Sequence, residues 1–220
     1  MAATVKPYKG LPMEGMIASW YAKTTRKDIN RHKWMANQLV GKIPAHGSVL
    51  EIAPGPGYFC IELAKLGDYK ITGLDISRSF VKIARQNAAE AGLAIDFREG
   101  NASAMPFKDG TFDFSFCQAA FKNFSEPVKA ICEMYRVLKP GGIAVIADMR
   151  RDASAEDIER EVKGMGLDPL NRFFVKWTFD HMLLKSAYSI NAIQAMVAKT
   201  PFENCQMEIQ GVGFLAWLKK

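Results

Sequence analysis

The densest chemistry in the chain lies at Glu51-Ile52-Ala53-Pro54-Gly55-Pro56-Gly57, where an apolar strand, Ser48 to Ile52, runs into a Gly/Pro turn and then a helix, Tyr58 to Leu66. Glycines in such a turn let a ligand approach the backbone closely, and the helix that follows offers unpaired N–H groups to a negative part. A second strand, Lys70 to Asp75, ends in a carboxylate about 18 residues after Gly57. At the mouth of an open α/β sheet, a carboxylate so placed accepts hydrogen bonds from the hydroxyls of a ribose. The third glycine of a dinucleotide fingerprint would fall at Cys60, whose side chain works against that reading.

The elements that position these groups alternate. After the first two strands, the pattern predicts a helix from Arg78 to Ala91, a strand near Ala94 to Phe97 and another from Phe112 to Cys117. Ser125-Glu126-Pro127 then starts a helix running to Leu138, with the Ser125 hydroxyl as its cap, and Ile143 to Ala147 is a continuous apolar strand. Strands alternating with crossover helices give a doubly wound α/β sheet. One amphipathic helix, Arg26 to Val40, precedes it. Three more follow, Ser154 to Lys163, Asn171 to Lys185 and Ser189 to Lys199, before a hairpin of Gln206 to Gln210 and Gly213 to Leu218. The expectation is a Rossmann-like sheet of seven strands, mostly parallel with an antiparallel C-terminal strand, in one domain capped by residues 1–40 and 154–199.

Composition bounds the function classes. The 220 residues are 49% hydrophobic and 24% charged, which suits one globular domain and excludes a disordered or fibrous chain. No apolar run reaches the roughly 18 residues of a membrane span, and nothing near the start reads as a secretory signal, so a cytoplasmic address is expected. Cys60, Cys117, Cys132 and Cys205 are too scattered for a metal site or a disulfide framework. A net charge of +6 permits acidic partners, but the basic residues form no run and read as a solvated surface.

With these motifs in order, the chain resembles the class I S-adenosylmethionine-dependent methyltransferases over about residues 45 to 150. The likeness is strongest to the small-molecule branch typified by ubiquinone and menaquinone methyltransferases. Val49 to Gly57 is similar to the first motif of that family, Thr72 to Ser77 to the second-strand motif, Glu99-Gly100-Asn101-Ala102 to the adenine-side motif, and Arg136 to Gly142 to the segment before the fifth strand. The resemblance implies S-adenosylmethionine as cofactor, held by Glu51 at the methionine amino group, Asp75 at the ribose hydroxyls and Asn101 at the adenine. Ala53, Gly55, Gly57, Ile76, Ala102 and Cys117 line the same site. Two positions depart from the pattern. Ala53 replaces the first glycine, which requires a negative φ there, and Asn101 replaces an aspartate, losing charge assistance.

The resemblance also implies methyl transfer to a small organic acceptor, since the sulfonium carries an activated methyl and the protein has mainly to align an acceptor and exclude water. Candidates for the acceptor pocket are Trp20, Tyr21, Phe121, Lys122, His181 and Tyr188, with the aromatic stretch Arg172 to Tyr188 as a lid. Tyr21, His32 and His181 are the side chains considered for a general base, and none is assigned as catalytic. Cys117-Gln118 has no preceding proline, unlike the nucleophile of cytosine-C5 methyltransferases. The same strand end lacks the Asn/Asp-Pro-Pro-aromatic signature of base amino-group methyltransferases, so nucleic acid is demoted. An RNA methyltransferase, suggested by the basic balance, and a cofactor-binding protein without transfer activity stay open as alternatives.

Overall fold

The computed structural model describes residues 8–9, 13–166, 168–179 and 183–220. Its strands are β1 (Ser48–Ile52), β2 (Lys70–Asp75), β3 (Asp96–Glu99), β4 (Phe112–Gln118), β5 (Leu138–Met149), β6 (Cys205–Gln210) and β7 (Gly213–Lys219). They form one seven-stranded sheet in the order β3-β2-β1-β4-β5-β7-β6. The first five pair in parallel, while β7 runs antiparallel to both β5 and β6. The expected fold class is borne out, with β7 the antiparallel C-terminal strand, inserted between β5 and β6.

Alternation along the strands builds two cores. Leu50, Ile52, Cys117, Ala144 and Ile146 face one side, where they meet α5 (Pro127–Val137) and α9 (Ile190–Val197) through Ile131, Met134, Ile193 and Val197. Val49, Phe114, Phe116, Val145 and Ala147 face the other, against α2 (Ile29–Leu39), α3 (Tyr58–Ala64) and α4 (Arg78–Glu90). Strands buried on both faces are the physical reason their sequences read as apolar runs rather than alternating ones.

Several boundaries differ from expectation. The predicted helix Arg26 to Val40 is a 3-10 turn at Arg26–Asp28 followed by α2, and a further helix not expected from the sequence, α1 (Gly15–Thr25), precedes it. α1 buries only Ala18 and Ala22 while Met16, Ile17 and Trp20 stand exposed, so its large apolar residues mark the wrong face. β3 lies two residues later than predicted, because its register with β2 pairs Asp75 with Glu99. The N-cap of α5 is Glu126, not Ser125, and its side chain makes no capping bond; Pro127 takes the first turn. In the C-terminal insertion, α6 (Ala155–Gly164) carries a capping box from Ser154 and Asp157. The predicted helix Asn171 to Lys185 divides into α7 (Pro169–Thr178) and α8 (Leu184–Ser186). Ile158, Val162, Phe179 and Leu184 form a third small core closed by Val212 of the β6–β7 turn, which ties the insertion to the sheet edge.

Candidate active site

The strand order reverses between β1 and β4, and an open α/β sheet forms its ligand crevice at the carboxyl ends of the strands flanking that reversal. Register aligns those ends: Ile52 lies beside Leu74 on one side and Cys117 on the other. Glu51 and Asp75 therefore stand on adjacent strands at one mouth, 3% and 5% exposed.

Asp75 organises the turn. Its Oδ2 accepts from Gly55 N (2.9 Å) and its Oδ1 from Ser77 N (2.9 Å). Burial pushes its pKa up to about 6, against the pull of those bonds and with a further push from Glu14. Glu51 is pushed up to about 7 by burial, with bonds from Cys60 opposing and Asp75 adding. Burial without a neighbouring positive charge is what raises both carboxyls, and a cationic ligand would offset it.

The glycines make the cradle. Gly55, at φ +53°, has nothing within 4 Å of where a Cβ would stand. Gly57, at φ +78°, has the opposite restriction: a Cβ there would meet Phe97 Cζ at 2.8 Å and Ala84 Cβ at 3.0 Å. Ala53 departs from the sequence expectation, for its φ is +56° rather than negative. It is held left-handed by donating to Leu74 O at 2.8 Å, and a methyl is the smallest side chain that can bear the strain. Asn101 Oδ1 accepts from Ser103 N at 2.9 Å, closing an Asx turn that fixes the amide next to half-buried Ala102. Ile76 is 37% exposed beside Asp75, and Cys117 is fully buried, its thiol pushed well up by burial and by Asp148.

The acceptor candidates divide. Phe121 is fully buried, with its ring centroid 5.5 Å from Phe124 and 5.9 Å from Tyr188. Lys9 Nζ donates to Tyr188 OH at 2.7 Å, and the neighbouring Tyr8 bridges to Phe124. Lys122 is not a free surface charge: its ammonium sits 2.8 Å from Asp148 Oδ1, in a pair whose side chains are 14% and 3% exposed. Tyr21 packs edge-on against Phe80, 5.7 Å between centroids, while Trp20 stands 66% exposed. His181 lies outside the described residues. His32 packs against Tyr58, with burial lowering its pKa and its Nδ1 without a partner among the described residues.

Residues that the sequence did not single out also reach this region. Tyr8 is pushed up by burial, and further by Tyr21 and Asp75. Gln118 ends β4 with a buried Oε1 that has no partner among the described residues. Asp148, next to the last residue of β5, pairs with Lys122. Among the described residues, no three His, Cys, Asp or Glu side chains gather as a metal site, and no helix is long and apolar enough to cross a membrane.

Residues 50–146 match the model of a family described as "Methyltransferase domain". Over that segment the chain is similar to methyltransferase domains. A demethylmenaquinone methyltransferase of Deinococcus radiodurans is 38% identical over 107 residues, covering 48% of this chain and 44% of that protein. The ubiquinone/menaquinone biosynthesis C-methyltransferase UbiE of a Marinomonas species is 33% identical over 116 residues, covering 51% and 46%. The chain thus spans about half the length of the curated relatives it matches. In fold, a Methanococcus maripaludis protein assigned to the S-adenosyl-L-methionine-dependent methyltransferases superposes with a TM-score of 0.78 at 19% identity, covering 96% of this chain and 95% of that one. The crevice at the ends of β1 and β2 brings together two buried carboxylates, Glu51 and Asp75, and the open face of Gly55.

Proposed function

We propose that this protein transfers the methyl group of S-adenosylmethionine to a small ring acceptor of the quinol or phenol type. The observation that carries the reading is the placement of two buried carboxylates, Glu51 and Asp75, on adjacent parallel strands beside the Ala53–Gly57 turn, inside the matched segment. When bound, S-adenosylmethionine supplies an activated methyl on a sulfonium. Asp75 accepts from the ribose hydroxyls, Glu51 faces the cationic amino-acid end, and the turn of Asn101 and Ala102 borders the adenine. Gly55 lets the backbone come close without a side chain in the way.

The aromatic cluster of Phe121, Phe124 and Tyr188 just after β4 supports a flat apolar acceptor nearby. Relatives named for demethylmenaquinone point to the same chemistry. Nucleic acid fits less well, because β4 leads into Cys117-Gln118-Ala119-Ala120-Phe121, without the signature of base-modifying enzymes. The test is to incubate the protein with S-adenosylmethionine and a reduced, unmethylated naphthoquinone, and to follow S-adenosylhomocysteine and methylated quinone by mass spectrometry. Product on the ring is expected. Cofactor binding with no product across quinols, phenols and amines would favour a binding protein without transfer activity.

A further inference from the structure

The sequence marks Cys60 only as a misfit to a dinucleotide fingerprint, and the cofactor reading gives it no task. Yet it makes a specific contact. Cys60 Sγ lies 2.8 Å from Glu51 Oε2, and Cys60 N donates to the same oxygen at 3.2 Å. Both side chains are buried, Cys60 at 0% and Glu51 at 3% exposure. Every hydrogen bond that the Glu51 side chain makes among the described residues falls on Oε2. We propose that Cys60 is a positioning residue for the cofactor: it fixes one oxygen of Glu51 so that the other is presented to the ammonium group of S-adenosylmethionine.

The inference rests on the assignment of Glu51 to the amino-acid end of the cofactor. Three groups act on Glu51. Asp75 opposes its ionisation, the Cys117 thiol lies within its field, and the Cys60 thiol and N–H favour the charged form. Burial and Glu51 itself push the Cys60 thiol well up, so it keeps its proton while Glu51 gives one up. The S–H is then a donor throughout the range in which the carboxylate must ionise. A buried carboxylate held by one long backbone bond would be poorly oriented and costly to charge, and the thiol supplies the second donor.

The test is calorimetric titration from pH 6 to 7.5 of wild type, Cys60→Ser and Cys60→Ala. The ligands are S-adenosylmethionine and 5′-methylthioadenosine, which keeps the nucleoside and lacks the amino-acid end. Cys60→Ala is expected to bind S-adenosylmethionine about 3- to 10-fold more weakly near neutral pH, with its pH midpoint moved upward. Binding of 5′-methylthioadenosine stays unchanged, and Cys60→Ser recovers most of the loss. Equal losses for both ligands, or none for either, would overturn the proposal.

If Cys60→Ala does not fold, the S–H stretch of wild type decides by difference infrared, assigned with Cys60→Ser. It should shift on adding S-adenosylmethionine and not on adding 5′-methylthioadenosine; a stretch indifferent to both overturns the role. Wild type that binds no S-adenosylmethionine would instead remove the cofactor reading itself.

Discussion

Glu14 and Ser79 cap each other's helices across 65 residues of sequence. The Glu14 carboxylate accepts from Arg78 N (3.0 Å) and Ser79 N (3.1 Å) at the start of α4, while the Ser79 hydroxyl accepts from Gly15 N (2.9 Å) at the start of α1. Ser77, next to the Asp75 turn, adds a bond from its hydroxyl to Met13 O at 2.6 Å. The entry to α1 is thereby stitched to the loop that follows Asp75. Bonds from Ser79, Ser77 and Arg78 outweigh the upward push of burial and hold Glu14 below the usual carboxylate range.

Removing this latch should loosen both helix ends and the mouth of the crevice. Glu14→Ala is expected to cost about 1 kcal/mol, the usual worth of a cap, which is about 2 to 4 °C in melting temperature for a chain of this size. The same variant should release S-adenosylmethionine faster in a stopped-flow displacement experiment. An unchanged release rate would mean that α1 takes no part in retaining the cofactor.

The glycine turn gives a paired prediction with opposite signs. Ala53 is left-handed without being glycine, so Ala53→Gly removes a steric cost of about 1 to 2 kcal/mol, part of which returns as chain entropy, leaving a net gain of about 0.5 kcal/mol. Gly57→Ala imposes the same strain and drives a methyl into Phe97 and Ala84, a loss of about 2 kcal/mol or more. Urea denaturation of the two variants beside wild type reads both. A loss of stability in Ala53→Gly would show that the left-handed turn is not strained.

How much of this was legible follows the physics of each feature. β1 and β5 were readable because burial on both faces leaves a short apolar run, and β2 and β4 because turn residues bound them on either side. Glu51 and Asp75 were readable because they stand where a strand meets a turn. α1 was not, since its buried face is Ala18 and Ala22 and its large apolar side chains point outward. Long-range bonds leave no local trace either: neither the Glu14 latch nor the Cys60–Glu51 contact has a sequence pattern, and the φ of Ala53 is set by Leu74 on the next strand.

The Lys122–Asp148 pair should behave as a buried charge pair, not a surface one. Asp148 also accepts from Lys122 N (3.1 Å) and Met149 N (2.8 Å), and the ammonium has a second acceptor in Ala119 O (3.1 Å). Lys122→Met strips the carboxylate of its counter-charge and is expected to cost about 3 kcal/mol, while the double variant with Asp148→Leu recovers part of that loss. Thermal or urea unfolding of the two singles and the double measures the coupling. Additive losses would place the pair in effective contact with solvent.

The raised acids at the mouth set a pH dependence whose sign can be worked out. Glu51 moves from an ordinary 4.5 to about 7 and Asp75 from 3.8 to about 6, so the folded protein without ligand binds protons that the unfolded chain releases. Their contribution is fully present below the ordinary carboxylate values and is lost as pH rises through 6 and 7, on the order of 3 kcal/mol for Glu51 alone. The melting temperature without cofactor should therefore fall between pH 5 and 7.5, and less so in Glu51→Gln. S-adenosylmethionine offsets the charged form of Glu51 with its ammonium, so the stabilisation it confers should grow over the same interval. Asp75→Ala should weaken its binding by about 1 to 3 kcal/mol at every pH through lost ribose bonds. Melting curves for wild type and Glu51→Gln with the same pH slope would mean that burial does not raise Glu51 above its ordinary value.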